Sequence, residues 1–273
     1  MATYLDRILA AHRTAAEEDT RDLDVLVAEA ATQPPARGFE AALRSSDPVC
    51  VIAEVKRRSP SKGDLAPGLV PADLAAAYQS GGAAALSVLT DGDFFGGSPG
   101  DLRQARAAVD LPVLRKDFTV SPADVADARI MGADAVLLIA AALSADELSS
   151  FVALARRVGI DALVEVHDEA EAEAALSVGA TLIGVNQRDL YTFEVDTDRA
   201  RRVAAALPDH ITRVAESGIR NGDDVRRLAE AGFSAVLVGE TLVRSADPAA
   251  AVRGLIASRV GPSSGSRVGS SPK

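Results

Sequence analysis

Residues that could move protons end several short apolar runs of this 273-residue chain. Glu54 and Lys56 end the first run, and they share a face because residues i and i+2 of a strand point the same way. The later runs end in Lys116, Glu165, Asn186 and Glu216-Ser217-Gly218. A lysine ammonium can protonate a carbonyl oxygen, and a carboxylate can stabilise a cation or accept a proton. These residue types predict general acid and base chemistry.

The elements that must position these residues are eight apolar runs, each followed by turn residues and a helical pattern. The predicted strands are Val49 to Lys56, Ala84 to Thr90, Pro112 to Lys116, Ala135 to Ala140, Ala162 to Val166, Thr181 to Asn186, Thr212 to Glu216 and Ala235 to Gly239. Strands that alternate with helices pair in parallel through right-handed crossovers. Eight such units predict an α/β fold, a closed (β/α)8 TIM barrel, with an open doubly wound sheet as the alternative.

The chain divides into three predicted parts. Residues 1–47 form an N-terminal helical extension, in which Leu5, Ile8 and His12 share one helical face. This extension packs on the barrel, either as a plug over apolar surface or as a helix that helps to close the substrate pocket. Residues 48–257 form the catalytic barrel, and residues 258–273, rich in Ser, Gly and Pro, are expected to be a disordered tail.

Composition limits the partners and the compartment. The net charge of -10 argues against binding of nucleic acid or of an anionic membrane, so a local cluster must hold any anionic ligand. No secretory signal or membrane-spanning run is present, and we expect a cytoplasmic protein. The absence of an obvious apolar external stripe favours a monomer. Cys50 is the only cysteine, which fits a reducing compartment and is typical of a small buried hydrophobe.

Motifs for metals and nucleotides are missing from the sequence. His12, His167 and His210 are widely spaced and have no set of cysteine partners, so no metal-ligand pattern can be drawn. The glycines form neither a G-x-G-x-x-G motif after a strand nor a P-loop. We therefore expect a reaction that needs no metal, and the sequence offers no motif for binding of a dinucleotide or a nucleoside triphosphate.

Closure of the barrel brings the polar strand ends to one mouth, because the active site of such a barrel lies at the C-terminal ends of its strands. A salt bridge at the rim explains each lysine or glutamate taken alone. Burial of two lysines and three glutamates together requires mutual pairing at appreciable cost, which favours a catalytic site. Arg57, Arg58 and Lys62 follow the first strand in a flexible loop and are interpreted as solvated charges.

The loops after the seventh and eighth strands carry Ser217-Gly218 and Gly239-Glu240. Barrels commonly bind phosphate at these two loops. Glycine allows backbone N–H groups to approach an anion closely, and Lys56 could supply the compensating charge. A tight turn explains one such glycine equally well, so the prediction of phosphate binding depends on the presence of glycine in both loops.

Aromatic and apolar residues could form the wall of a binding site. Phe95 lies in a glycine-flanked loop after the second strand, and Phe118 follows the third. Both could stack on a flat aromatic substrate, although core packing beneath the loop is an equal alternative. Leu137 and Leu190 would add apolar wall, with core packing the favoured interpretation for Leu137.

Five segments taken together indicate a family. They are Ile52-Ala53-Glu54-Val55-Lys56-Arg57-Arg58-Ser59-Pro60-Ser61-Lys62-Gly63, Leu114-Arg115-Lys116-Asp117-Phe118, Leu163-Val164-Glu165-Val166-His167, Gly184-Val185-Asn186-Gln187-Arg188-Asp189-Leu190 and Ala215-Glu216-Ser217-Gly218-Ile219. With these segments the chain resembles the indole-3-glycerol phosphate synthase family of tryptophan biosynthesis. The resemblance implies a carboxy-lyase that needs no cofactor. It would convert 1-(2-carboxyphenylamino)-1-deoxyribulose 5-phosphate to indole-3-glycerol phosphate by ring closure, decarboxylation and dehydration.

The resemblance also implies roles for single residues. It makes Lys56, Lys116, Glu54 and Glu165 catalytic, with Asn186, Arg188, Glu216 and Ser217 as supporting polar residues, and places phosphate contacts at Lys56, Ser59, Gly218, Gly239 and the backbone of Glu240. Lys116 is the predicted acid for the substrate carbonyl, and Glu165 is predicted to stabilise a cationic intermediate. Glu54 should keep Lys56 charged and oriented. Gln187 and Glu240 depart from the residues often found in the family, and the Glu240 side chain would repel phosphate unless it points away.

Two other functions fit part of the pattern. A phosphoribosylanthranilate isomerase would be expected to use a Cys and Asp pair. Cys50, however, lies four residues before Glu54 and so roughly 13 Å toward the N-terminal face. A noncatalytic barrel that binds a phosphorylated metabolite would need the phosphate loops but not Lys116, Glu165 and Asn186 together.

Overall fold

The computed structural model describes residues 3–44, 49–60, 62–189 and 191–257. Eight parallel strands form a closed barrel in which each strand pairs with the next in sequence and the last pairs with the first. They are β1 (Cys50–Val55), β2 (Ala85–Leu89), β3 (Val113–Lys116), β4 (Ala135–Ile139), β5 (Asp161–Val166), β6 (Leu182–Asn186), β7 (Thr212–Glu216) and β8 (Ala235–Val238). Closure pairs Val51 with Val236. The predicted barrel is confirmed, and each strand end lies within one residue of its predicted position.

Helices surround the barrel and connect its strands. They are α4 (Pro71–Gly81), α5 (Pro99–Ala108), α6 (Pro122–Ile130), α7 (Ala145–Val158), α8 (Glu169–Ser177), α9 (Arg199–Ala204), α10 (Gly222–Glu230), α11 (Glu240–Val243) and α12 (Pro248–Ala257). Ser121, Ser144 and Asp168 cap α6, α7 and α8 by accepting hydrogen bonds from backbone N–H groups that have no partner within the helix. None of the helices in the described ranges is long and apolar enough to cross a membrane.

Alternation along the strands separates two apolar layers. Val51, Ala53 and Val55 of β1 pack in the layer between the strands and the helices. Ile52 instead packs inside the barrel with Leu114, Leu137, Leu163, Leu182 and Val214 of other strands. Glu54 lies two residues after Ile52, so its side chain also points into the barrel. The same spacing directs the side chains of four other strand ends into the barrel: Lys116, Glu165, Asn186 and Glu216. The polar strand ends therefore continue the interior layer toward the C-terminal end.

Three helices, α1 (Tyr4–Glu18), α2 (Leu23–Ala31) and α3 (Phe39–Leu43), precede the barrel. Phe39 and Leu43 of α3 are buried against the interior layer at the N-terminal end. Helix α1 reaches the opposite end, where His12 Nε2 lies 2.9 Å from Asp91 Oδ2. The predicted boundary between residues 47 and 48 and the predicted tail, residues 258–273, lie outside the described residues.

Cys50 begins β1 at the N-terminal end of the barrel. Its Sγ lies 3.8 Å from the carbonyl oxygens of both Ala42 and Leu43. The residue is partly rather than fully buried. Its place at the end opposite the polar strand ends agrees with the depth expected from the sequence.

Candidate active site

A cavity of about 800 Å³ opens at the C-terminal ends of the strands. Its lining contains every predicted site residue in the described ranges: Glu54, Lys56, Ser59, Phe95, Lys116, Phe118, Leu137, Glu165, Asn186, Arg188, Glu216, Ser217, Gly218, Gly239 and Glu240. Leu190 lies outside the described residues. A volume of this order accommodates a small organic ligand. The barrel thus brings together residues that are spread over most of the sequence.

Glu165 lies at the centre of the polar interior and is only 1% exposed. Lys116 Nζ lies 3.3 Å from its Oε2, and Asn186 Nδ2 donates to its Oε1 at 2.9 Å. Burial by itself raises the pKa of Glu165, but Lys116, His167 and Asn186 outweigh it and the net pKa lies below its ordinary value. Glu165 is therefore ionised at neutral pH and can stabilise a neighbouring cation.

Lys116 ends β3 with its side chain 17% exposed. Burial alone would lower the pKa of this ammonium, because it disfavours the charged form. The negative charge of Glu165 is the largest opposing effect, with Glu216 and Glu54 adding to it, and the pKa lies well above its ordinary value. Lys116 thus carries a proton at neutral pH and points it into the cavity.

Glu216 is a second buried carboxylate, 2% exposed, at the end of β7. Burial and the nearby charge of Glu165 raise its pKa well above the ordinary value. Its Oε1 has no hydrogen-bond partner among the described residues. A Cβ atom on Gly184 of the neighbouring strand would collide with this oxygen. The glycine therefore makes the space that the carboxyl group occupies.

Glu54 and Lys56 form an ion pair at the end of β1. The Glu54 side chain is 4% exposed and that of Lys56 is 17% exposed. The hydroxyl of Tyr78 donates to the backbone carbonyl of Glu54 at 3.1 Å, which fixes this end of the strand. The carboxylate in turn holds the Lys56 ammonium at the cavity wall.

The turn after β7 has an unusual backbone. Ser217 has φ 67° and Gly218 has φ 74°, so both occupy the left-handed region. For serine this conformation costs on the order of 1–3 kcal/mol and is more common at functional sites. Gln187, itself 2% exposed, donates from Nε2 to the carbonyl of Ser217 at 2.7 Å. Gln187, which departs from the residues often found at its position, therefore supports this turn.

The loop after β8 begins with Gly239 and continues into the short helix α11. The Glu240 side chain is directed toward Arg244, with 3.9 Å between its Oε1 and Arg244 Nε. The repulsion between this carboxylate and a bound phosphate, which the sequence left open, is thus reduced by a neighbouring guanidinium. The backbone N–H of Glu240 is the group available to a ligand.

Phe95 and Phe118 lie together at the wall of the cavity, with ring centroids 6.0 Å apart and an interplanar angle of 39°. The carboxylate of Asp91 accepts hydrogen bonds from the backbone N–H groups of Phe94 and Phe95. Leu137 is 1% exposed and belongs to the barrel interior while also lining the cavity. Leu137 is therefore both a core residue and part of the apolar wall of the cavity.

His12, Asp91 and Asp117 form a cluster that sequence reasoning missed. Their potential ligand atoms lie within 4.8 Å of one another, which is close enough to hold a metal ion. Most of these atoms already have partners: Asp91 accepts from His12 and from two backbone N–H groups, and Asp117 accepts from Thr90 and Arg115. The contacts therefore favour a hydrogen-bonded link between α1 and the strand-end loops over a cation site.

Arg57 and Arg58 are not the solvated charges that the sequence indicated. Arg57 forms an ion pair with Asp101 of α5, and Arg58 donates to the backbone carbonyls of Gly92 and Asp93. Arg57 thus connects the loop after β1 to α5, and Arg58 connects it to the loop after β2. Sequence reasoning could not pair them, because their partners lie about 35–44 residues away along the chain.

The mouth of the cavity is basic although the whole chain is acidic. Lys62, Arg220 and Arg244 line it in addition to the predicted residues. A local positive rim attracts anions and raises their concentration at the mouth. The site is therefore suited to a substrate that carries several negative charges.

Asp91 and His167 contact residues of the site and were not predicted as site residues. Asp91 directly follows the predicted strand Ala84 to Thr90, so the rule that singled out the other polar strand ends could have found it. His167 lies two residues after Glu165, and its Nε2 lies 3.5 Å from Glu165 Oε1.

Comparisons with known proteins agree with this geometry. The family model described as "Indole-3-glycerol phosphate synthase" matches residues 5–255. A protein of that name from Mycobacterium ulcerans is 51% identical over 264 residues, which cover 96% of this chain and 97% of that one. One from Nocardioides sp. is 58% identical over 203 residues, covering 74% and 78% of the two chains.

Among solved structures, the chain is similar to "Thiamine phosphate pyrophosphorylase" from Pyrococcus furiosus. The TM-score is 0.58 at 17% identity, and the match covers 81% of this chain and 97% of that one. At this level of identity the likeness concerns the barrel fold alone.

Proposed function

The chain belongs to the indole-3-glycerol phosphate synthase family, and we propose how its residues carry out the family's reaction. The reaction joins a ring carbon of the carboxyphenylamino group to the ketone carbon of the deoxyribulose, with loss of carbon dioxide and of water. The observation that carries the proposal is the buried pair of Lys116 and Glu165, one a protonated acid and the other an ionised carboxylate, 3.3 Å apart.

The substrate phosphate binds between the loops after β7 and β8. Gly218 and Gly239 line this part of the cavity, and the Lys56 ammonium and Ser59 lie on its wall. Backbone N–H groups at these glycines can approach an anion closely. The basic rim supports the same orientation, because the phosphate carries more negative charge than the carboxylate at the other end of the substrate.

The aromatic ring of the substrate lies at the opposite wall, against Phe95 and Phe118. Their rings form a face of the cavity together with Leu137. Offset or edge contacts between aromatic rings stabilise such an arrangement. When the phosphate site and the aromatic wall hold the two ends of the substrate, the ketone carbon comes close to the ring carbon that attacks it.

Lys116 protonates the carbonyl oxygen during ring closure. A proton held at this position stabilises the developing oxyanion and makes the carbonyl carbon more electrophilic. Loss of carbon dioxide from the same ring carbon then restores the aromatic ring. Lys56, held by Glu54, contacts an anionic group of the substrate and can also act as an acid.

Dehydration completes the indole. The hydroxyl formed from the carbonyl oxygen takes a second proton and leaves as water, which produces a cation stabilised by the ring nitrogen. Glu165 stabilises this cation and accepts the proton that is lost from the adjacent carbon. Asn186 orients Glu165, since its Nδ2 donates to that carboxylate while its Oδ1 accepts from the backbone N–H of Arg188.

We further propose that the protein acts as a monomer in the cytoplasm. Val25, Val70 and Tyr191 are the exposed large apolar side chains among the described residues, and they lie on separate segments. A single cysteine fits a reducing compartment.

The two alternative functions have less support. An isomerase would need a cysteine at the cavity, and Cys50 lies at the other end of the barrel against α3. A noncatalytic binder would not require the cost of burying Lys116, Glu165 and Glu216 together.

The experiment mixes the purified protein with 1-(2-carboxyphenylamino)-1-deoxyribulose 5-phosphate in buffer with a chelator and follows indole fluorescence. The chain contains no tryptophan, so its own fluorescence in that range is low. Formation of indole-3-glycerol phosphate and carbon dioxide in equal amounts is the expected result. Tight binding of the substrate without turnover would instead indicate a binding protein.

A further inference from the structure

The imidazole of His167 lies between two carboxylates, and none of the steps above uses it. Its Nε2 lies 3.5 Å from Glu165 Oε1, and its Nδ1 lies 3.0 Å from Glu171 Oε2. Glu165 is 1% exposed, whereas the Glu171 side chain, on α8, is 23% exposed. The three side chains therefore form a continuous path from the buried carboxylate to the outside of the barrel.

The Nε2 atom of His167 is buried and has no hydrogen-bond partner in the described part of the chain. Buried polar atoms without partners are uncommon in folded proteins. The nearest acceptor is Glu165, and a closure of about half an ångström would bring the two atoms within hydrogen-bond distance. Hydrogen bonds used in catalysis are often long in the absence of substrate.

Capping of α8 explains only part of this arrangement. Glu171 Oε2 also accepts a hydrogen bond from the backbone N–H of His167 at 2.8 Å, which ties the start of α8 to the end of β5. A cap of this kind requires neither an imidazole nor a ring nitrogen directed at Glu165. The orientation of the ring thus calls for a second role.

The chemistry of the reaction supplies that role. The carbonyl oxygen takes up one proton at ring closure and another when it leaves as water, while one proton is lost from carbon. The substrate carboxylate departs as carbon dioxide without taking a proton. Each turnover of a substrate with an ionised carboxylate therefore consumes one proton, which must reach the buried acid from solvent.

We propose that His167 relays this proton from Glu171 to Glu165, and that Glu165 passes it to Lys116. The proposal rests on the roles of Lys116 and Glu165 given above. In each turnover Lys116 donates two protons: Glu165 returns one that it took from carbon, and the relay supplies the other. In the relay, Nδ1 receives a proton from the Glu171 side while Nε2–H donates its proton to Glu165 Oε1. The imidazole then carries its proton on Nδ1, and a shift of this proton back to Nε2 restores the starting state.

The charges around the ring are suited to this transfer. Glu165 of β5, Glu171 of α8 and Arg199 of α9 are the charged groups that act on His167. Burial lowers the pKa of the imidazole, but the two carboxylates outweigh burial and Arg199, and the net pKa lies above its ordinary value. The protonated ring is therefore accessible near neutral pH.

The test separates ring closure and decarboxylation from dehydration, using His167→Gln and Glu171→Gln in the whole protein. Lys116 holds only one proton at the start, so the relay must supply the second before the hydroxyl leaves; with excess enzyme, carbon dioxide release and indole formation are therefore followed separately in one turnover. For His167→Gln we expect carbon dioxide release within about twofold of the parent rate and indole formation slower by about tenfold or more. Glu171→Gln should show the same pattern with a smaller loss. Glu173→Gln, an exposed glutamate on the same helix, is the matched control.

Imidazole provides a second readout that a structural role would not change. In His167→Ala, added imidazole should speed indole formation several-fold and leave the rate of carbon dioxide release unaltered. A rate of indole formation by His167→Gln within about twofold of the parent would overturn the relay. Equal losses in carbon dioxide release and in indole formation, without rescue by imidazole, would also overturn it, because they would show a structural cap. Absence of turnover by the parent protein would instead contradict the proposed function itself.

Discussion

The Cα atom of Gly239 lies directly against the carboxylate of Glu54. A Cβ added to this glycine would collide with Glu54 Oε2 and would lie 3.0 Å from Lys56 Nζ. The loop after β8 and the ion pair at the end of β1 therefore occupy one closely packed position. The orientation of the Lys56 ammonium depends on the absence of a side chain at Gly239, in the loop after β8.

Gly239→Ala should displace this ion pair. Because Glu54 is buried and cannot move far, we expect the added methyl group to reposition Lys56 and to close part of the phosphate site. The expected result is a loss of at least about tenfold in kcat/KM, as follows from losing one oriented charge contact. Steady-state kinetics measures the loss, and calorimetry with inorganic phosphate measures the change in phosphate affinity.

The matched control is Gly254→Ala on α12, where an added Cβ meets no atom within 4 Å. This variant should keep the parent kcat/KM. If Gly239→Ala also kept it, the packing of Glu54 against the glycine would have no functional consequence.

Glu216→Gln tests the protonation of the buried carboxyl group. The pKa of Glu216 is raised by burial and by Glu165, so between its unfolded value near 4.5 and its folded value the folded protein holds a proton that the unfolded chain has released. The stability contributed by Glu216 therefore falls as pH rises. Glutamine does not ionise. Relative to the parent, the free energy of unfolding of the variant should rise as the pH rises above about 4.5.

Urea unfolding of both proteins at several pH values measures this difference. A difference between the variant and the parent that does not change with pH would contradict the raised pKa. The variant should also have lower kcat, because Glu216 lines the cavity next to Glu165.

His12→Gln tests the link between α1 and the loop after β2. Burial lowers the pKa of His12, but Asp91 and Asp117 outweigh it and the net pKa is above the ordinary value of 6.5. Such a group stabilises the fold fully below that value, and the contribution is lost as pH rises through the folded pKa. We expect the variant to lose about 1 kcal/mol at pH 6 and less at pH 9.

The same variant should affect binding more than chemistry. Asp91 holds the backbone of Phe95, so loosening its contact with His12 should raise KM several-fold and change kcat less. His210→Gln, at an exposed histidine near the opposite end of the barrel, is the control. An unchanged KM together with a pH-independent loss of stability would refute the link.

The strands and their polar ends could be predicted from the sequence because both follow from local patterns. Continuous apolar runs predict the strands, and the end of each run predicts which polar residue reaches the mouth of the barrel. Glu54, Lys116, Glu165, Asn186 and Glu216 were found in this way, and all line the cavity.

The rest depends on contacts between distant segments. Gly184 is required by the position of Glu216 on the next strand, and the partners of Arg57 and Arg58 lie on α5 and on the loop after β2. The link from His12 to Asp91 exists only because α1 docks on the strand-end loops. No local pattern in the sequence contains this information.

Lys116→Ala tests the central claim most directly. The acid is lost while the phosphate loops and the aromatic wall remain, so the variant should bind substrate with an affinity within about tenfold of the parent. Its single-turnover rate should fall by about 10²–10⁴-fold, whereas Lys62→Ala at the rim should change mainly KM. The measurement is the rate of indole formation by folded Lys116→Ala with saturating substrate. A loss of this size is the predicted result, and a near-normal rate would contradict the assignment of Lys116 as the acid.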